Sequence, residues 1–275
     1  MEPFGTRFRH AMQTRGPLCV GIDPHPGLIA AWGLDDTPAG LQRFALTCVE
    51  ALAAEVAVLK PQSAFFERHG SAGVAVLEQT VAAARAAGAL VLLDAKRGDI
   101  GSTMQAYADA YLDQTSPMAV DAMTVSPYLG FESLRPVLDT AATAGAGVFV
   151  LALTSNPEGP QVQQARGLQG TVAGGVLAAI AAENAGAEPM GSVGAVVAAN
   201  LTSCVEDLDV NGPLLAPGYG AQGGSAGDVL RIFGGVRANV LPSTSRDVLR
   251  HGPDVDSLRD AARRTRDEVS ALTAR

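Results

Sequence analysis

Eight short apolar runs, helical periodicity between them and a chain of 275 residues predict an α/β protein, a (β/α)8 TIM barrel in a single domain. The runs are "LCVGID" from Leu18, "VAVLKP" from Val56, "LVLLDAK" from Leu90, "DAMTVSP" from Asp121, "GVFVLALTS" from Gly147, "VGAVVAAN" from Val193, "PLLAPG" from Pro213 and "ANVLPST" from Ala238. None alternates apolar with polar. Continuous apolar character marks strands covered on both faces, as in a parallel sheet. Hydrophobic residues make up 47% of the chain and charged residues 17%, so a large core can be buried, and a barrel of ordinary size uses nearly all of this length.

In chain order, the first strand closes on Asp23 ahead of Pro24, and residues 41–55, "LQRFALTCVEALAAE", carry apolar side chains at helical spacing. The second strand ends on Lys60, with a helix expected at 71–87. The third runs into Asp94 and Lys96 and leads to a helix at 102–112. Helices at 131–144, 171–186 and 225–233 follow the fourth, fifth and seventh strands. After the fifth strand comes the longest connection, residues 154–170, whose Gly, Pro and Gln content predicts a loop over the barrel mouth. A charged helix near 256–273 is expected on the outside, beyond a barrel core of about 18–250. No linker divides the chain, so residues 1–275 are expected to form one barrel domain.

Composition narrows the function. A formal net charge of -8 disfavours a nucleic-acid partner, because phosphate backbones attract basic surfaces. Cys19, Cys48 and Cys204 are odd in number and widely spaced, so they read as reduced core thiols of an intracellular protein. His10, His25, His69 and His251 show no metal-ligand spacing; His25, after the first strand, reads as a solvated loop residue. The N-terminus lacks a basic-then-apolar leader pattern, and the uncharged stretch Thr140 to Pro157 reads as a helix end, a loop and a strand rather than a membrane span. A cytoplasmic enzyme with no membrane partner is the expectation.

The candidate site is the knot of charge in "LVLLDAKRGDI". Residues i and i+2 of a strand share a face, so Asp94 and Lys96 are expected side by side at the carboxyl end of the third strand, where barrel active sites are built. Lys60 ends the neighbouring strand, about 4.8 Å away. Asp99 lies just beyond, which gives two amines and two acids in alternation. A structural ion-pair network is the plainer alternative, but its desolvation is costly, and that cost favours catalytic use. "APGYGAQGG", residues 216–224, follows the seventh strand, where glycines such as Gly220 let backbone N–H groups approach a phosphate.

The set Asp94-Ala-Lys96-Arg-Gly-Asp99-Ile100, with Lys60 upstream, resembles the Asp-x-Lys-x-x-Asp-Ile signature of the orotidine 5'-phosphate decarboxylase family. The resemblance runs from Leu18 to about Arg246. "KPQSAFFE" and "LTSNP" are similar to its longer bacterial branch. It implies catalytic roles for Lys60, Asp94, Lys96 and Asp99. Asp23, otherwise a turn aspartate, would hydrogen-bond a ribose hydroxyl, and Ser155, otherwise a loop serine, would read the pyrimidine amide edge. Gln222 and Arg246 would hold the phosphate, although "STSRDV" lacks the glycine that many relatives carry just before this arginine. Asp99 and Thr103 would enter the site from a second subunit. Without the resemblance, Ser102 and Thr103 are candidate helix N-caps.

The implied reaction is decarboxylation of orotidine 5'-phosphate to uridine 5'-phosphate, the last step of de novo UMP synthesis. It needs no cofactor and no metal, has Lys96 as proton donor to C6, and is carried out by a homodimer. Two alternatives stand beside it. One is a metal-dependent sugar-phosphate aldolase or decarboxylase on a related barrel, against which Lys60 argues because an ammonium repels a divalent cation. The other is a catalytically silent nucleotide-binding barrel, against which the intact Asp-Lys-Asp set argues.

Overall fold

Each apolar run holds one barrel strand in the computed structural model, which describes residues 2–167, 170–221 and 223–273. The strands are β1 (Cys19–Ile22), β2 (Val58–Pro61), β3 (Leu90–Arg97), β4 (Ala122–Val125), β5 (Gly147–Leu153), β6 (Val193–Val197), β7 (Leu214–Pro217) and β8 (Val240–Thr244). They close into a barrel in chain order, each parallel to both neighbours. The helices expected from periodicity are α3 (Pro38–Leu52), α5 (Gly70–Ala86), α6 (Gly101–Leu112), α7 (Arg135–Ala144), α9 (Val172–Glu183), α10 (Ala226–Phe233) and α12 (Val255–Thr273). Among the described residues no helix is long and apolar enough to cross a membrane.

Local chemistry sets several boundaries. The helix expected from residue 41 begins at Pro38, because Thr37 caps it by accepting the Gly40 N–H at 3.2 Å and Pro38 suits the first turn. Ser225 and Asp228 form a reciprocal capping box at the start of α10. Thr103 and Ser102 do not cap α6: it starts at Gly101 after Ile100, with no side-chain cap, so both lie inside its first turn. The stretch expected to be helical from residue 131 opens as a 3-10 turn, Phe131–Leu134, before α7. Residues 154–170 are not wholly loop. They hold α8 (Gly159–Gln163), and Arg166–Gly167 pairs antiparallel with Gly170–Thr171.

Four further helices were not expected from periodicity: the 12-residue α1 (Phe4–Arg15) and the short α2 (Pro26–Ala31), α4 (Ser63–Glu67) and α11 (Arg246–Leu249). The first of these closes the amino end of the barrel. Phe4 and Phe8 pack on Phe149 of β5 with ring centroids 5.9 and 6.4 Å apart, and Met12 joins the same cluster. Gly147 makes room for this plug, since a Cβ there would meet the Phe4 ring. Arg7 ties the plug down through Asp121 at 2.5 Å and the Gly145 carbonyl at 2.9 Å.

Strand alternation sorts side chains into two cores. Outward residues such as Val20, Leu59, Val91 and Val150 pack under the helices, whereas Cys19, Val58, Leu92, Ala122, Phe149, Val196, Leu215 and Leu241 fill the interior with the plug. On β2, β3, β4 and β8 the inward position two residues further along changes character. Val58 is followed by Lys60, Leu92 by Asp94, Ala122 by Thr124 and Leu241 by Ser243. The barrel is therefore sealed with hydrocarbon at one end and polar at the other.

Candidate active site

The polar end centres on Asp94. Its Oδ2 accepts a hydrogen bond from Lys60 Nζ at 3.0 Å, and its Oδ1 accepts one from Lys96 Nζ at 2.6 Å. Thr124, reaching in from β4, donates its hydroxyl to Asp94 Oδ1 at 2.8 Å and accepts the Lys96 backbone N–H at 3.0 Å. Lys60 and Asp94 are buried at 6% and 8% exposure, while the Lys96 side chain is 46% exposed and extends into the open cavity.

The path of β3 explains why Lys96 stands there. Regular pairing with β4 holds through Leu93↔Met123 and resumes only at Arg97↔Val125, so four residues of β3 answer two of β4. Within this bulge Lys96 takes φ 48°, a left-handed conformation unfavourable for a residue with a Cβ. Asp94 and Lys96 do face the same cavity, as expected, but a bulge and a left-handed turn bring them there rather than a regular pleat.

Opposed charges dominate the electrostatics. Burial alone would push the Lys60 amine down, but the Asp94 and Asp23 carboxylates hold it above the usual lysine range. Burial alone would likewise push Asp94 up, yet the Lys60 and Lys96 ammonium groups hold its carboxyl well below the usual range. Lys60 and Asp94 are therefore a charged pair at neutral pH. By contrast, burial pushes the Cys19 thiol up to about 11 in spite of the nearby Lys60 charge, and it pushes Cys48 higher still. Both are packing residues rather than nucleophiles.

Above this array opens a cavity of about 380 Å³, a size suited to a small ligand. Asp23, Ser155 and Arg246 line it together with Lys60, Asp94 and Lys96. Asp23 Oδ1 and Ser245 Oγ are buried in its wall without a hydrogen-bond partner, so each can serve a ligand hydroxyl. Asp99, Thr103 and Gly220 do not line the cavity. Asp99 is half-buried and accepts the Ile100 N–H at 2.8 Å, and Thr103 is exposed on α6. The Gly220 N–H donates to the Gly224 carbonyl at 2.8 Å, with Asp247 packed where a side chain would go and accepting the Ala221 N–H at 2.5 Å. Gln222 lies outside the described residues. Among the described residues no group of three or more His, Cys, Asp or Glu is arranged to hold a metal ion.

Thr124, Gln62 and Ser245 were not anticipated from the sequence, yet all three line the cavity. The signal was present for each. Counting by two from the inward apolar residues Ala122, Val58 and Leu241 reaches Thr124, then Gln62 beyond Lys60, then Ser245 beyond Ser243.

Fold and site together define a barrel enzyme whose mouth sets a buried lysine–aspartate pair and a second, accessible lysine against a cavity fit for a small polar substrate. The chain belongs to the orotidine 5'-phosphate decarboxylase / HUMPS family, whose model matches residues 16–261. Among curated relatives, orotidine 5'-phosphate decarboxylase of Streptomyces coelicolor is 63% identical over 277 residues, covering 100% of both chains. The enzyme of the same name from a Nocardioides species is 64% identical over 274 residues, covering 98% of this chain and 99% of the relative. Among solved structures, one from Streptomyces avermitilis superposes with a TM-score of 0.97 at 62% identity, covering 100% of this chain and 97% of that one. OMP decarboxylase of Leishmania donovani gives 0.77 at 26% identity, with 98% and 99% covered.

Proposed function

We propose that this chain decarboxylates orotidine 5'-phosphate to uridine 5'-phosphate, the closing step of UMP synthesis, in the cytoplasm and without metal or organic cofactor. The observation that carries the reading is the Lys60–Asp94–Lys96 array, a carboxylate held at 3.0 and 2.6 Å by two amines at the cavity wall. The reading takes residues 1–275 as one barrel domain.

Loss of carbon dioxide from C6 leaves an electron pair in the plane of the pyrimidine ring, where the π system does not stabilise it. A fixed ammonium at that point lowers the barrier because it is already oriented and needs no solvent reorganisation. Lys96 is the accessible ammonium of the array. It supplies that charge and then donates its proton to C6 as general acid. Asp94 holds both amines in place and sets its charge beside the departing carboxylate. Lys60, buried behind Asp94, keeps the carboxylate ionised.

The rest of the cavity orients the nucleotide. Asp23 accepts from a ribose hydroxyl through its unpartnered Oδ1, Ser155 reads the pyrimidine amide, and Arg246 grips the phosphate with its guanidinium fork. Gln222 and the Gly220 loop complete the phosphate end. Asp99 and Thr103, outside the cavity of their own chain, serve the site of a second copy in a homodimer. Binding energy at the remote phosphate is used to fix the reacting end.

Purified protein mixed with orotidine 5'-phosphate tests this reading by loss of the orotate chromophore, with and without a chelator. The expected result is turnover that the chelator leaves unchanged. Absence of turnover, or turnover abolished by the chelator, refutes it.

A further inference from the structure

Lys96 is held in a strained backbone conformation, and such strain persists only where the surroundings over-determine it. The residue after it supplies much of that surround. The Arg97 guanidinium folds back to donate to the Ala95 carbonyl at 3.3 Å, so it grips the peptide on the near side of Lys96. The Arg97 carbonyl accepts the Ser126 N–H at 2.7 Å, which pins the far side to the end of β4. Beyond that, the guanidinium pairs with Glu67 and donates to Tyr111 Oη at 3.2 Å, while lying 5.5 and 5.9 Å from the ring centres of Tyr107 and Tyr111. Glu67 is oriented in turn by the Ser63 hydroxyl, which donates to Glu67 Oε1 at 2.6 Å. Ser63 and Glu67 belong to α4, directly after the β2 strand that carries Lys60, and both tyrosines belong to α6, after β3.

We propose that Arg97 is a positioning residue for the reaction: clamped to Glu67 and laid against Tyr107 and Tyr111, it fixes Lys96 in its left-handed turn and sets the spacing between the Lys96 and Lys60 strand ends. The inference rests on Lys96 acting as the proton donor described above. Arg97 touches neither the cavity nor Asp94, and it acts only through the backbone of its neighbour. A planar, delocalised cation suits this place, because it stacks on aromatic faces and pairs with a carboxylate at the same time.

The test compares the wild-type enzyme with Arg97→Met, Glu67→Gln, the double variant, Arg97→Lys and Ser63→Ala, using orotidine 5'-phosphate turnover, KM and thermal melting. Displacing a reacting group by a fraction of an ångström costs rate rather than affinity, so kcat falls at least about tenfold in Arg97→Met and in Glu67→Gln, with KM changed less than about threefold. The double variant is no slower than the worse single one, because both changes break one clamp. Arg97→Lys recovers part of the rate, and Ser63→Ala loses about two- to fivefold. Should Arg97→Met fail to fold, Glu67→Gln and Ser63→Ala, which remove only an outer partner, carry the test alone. Wild-type kcat in Glu67→Gln, losses that multiply in the double variant, or losses in kcat that merely follow the melting temperature overturn the inference. Wild-type enzyme without turnover overturns the proposed reaction itself, a distinct outcome.

Discussion

Replacing Asp94 by Asn keeps the shape of the side chain and removes the one negative charge between two ammonium groups. Lys60, 6% exposed, then keeps only an amide where it had a carboxylate at 3.0 Å. Removing one partner of a buried ion pair costs about 3–5 kcal/mol, most of it from the charge left unpaired. The pH dependence follows from the directions of the two shifts. Asp94 is depressed in the folded protein, so its contribution is present above the unfolded carboxylate value and is lost as pH falls through the folded one. Lys60 is raised, so its contribution is complete below the unfolded lysine value and is lost only as pH rises through the folded one. From about pH 5 to neutrality the penalty of Asp94→Asn is therefore constant; it shrinks above that, where the unpaired, buried Lys60 of the variant can lose its proton, and below about pH 4, where the unfolded wild-type chain takes up the carboxylate proton. Urea unfolding followed by the fluorescence of the single tryptophan, buried Trp32, measures the gap at each pH. Equal stability of the two proteins at pH 7, or a gap that widens toward acid, refutes the assignment of Asp94 as the charged hub.

Thr124→Val removes a hydroxyl that both donates to Asp94 and receives the Lys96 N–H. It should cost about 2–4 kcal/mol and lower the melting temperature by about 3–7 °C, with a fall in kcat. Arg246→Ala should leave the fold intact and lower kcat/KM about 10- to 100-fold through loss of the phosphate grip, measured by initial rates; an unchanged kcat/KM removes Arg246 from the site. Gly147→Ala drives a methyl group against the Phe4 ring of the plug. It should destabilise by about 1–3 kcal/mol while leaving turnover at wild-type level, because the cavity lies at the opposite end of the barrel.

The eight strands were legible because a sheet covered on both faces demands unbroken apolar runs, and the long helices because one stripe of each must face that sheet. The plug α1 was harder to read. Its apolar Phe4, Phe8, Ala11 and Met12 do keep helical spacing, but they are interspersed with Arg, His, Gln and Thr and precede any strand they could be seen to cover. The helices α2, α4 and α11 span only four to six residues, too few for periodicity to register. In the site, Lys60, Asp94 and Lys96 stood out as charges at the ends of apolar strands. Thr124 did not, since one hydroxyl within "AMTV" breaks no pattern. The left-handed turn at Lys96 was beyond reach because it comes from packing against Thr124, Ser126 and Arg97, residues scattered over two strands. Asp99 was expected among the amines, yet within one chain it turns toward its own loop.

The rate of Lys96→Ala on orotidine 5'-phosphate tests the central claim most directly. With the ammonium gone, neither the fixed charge nor the proton for C6 remains, so turnover should fall by at least about 10⁴-fold while circular dichroism still shows a folded barrel. A folded Lys96→Ala enzyme working within tenfold of the wild type, about 1.4 kcal/mol in barrier, contradicts the account.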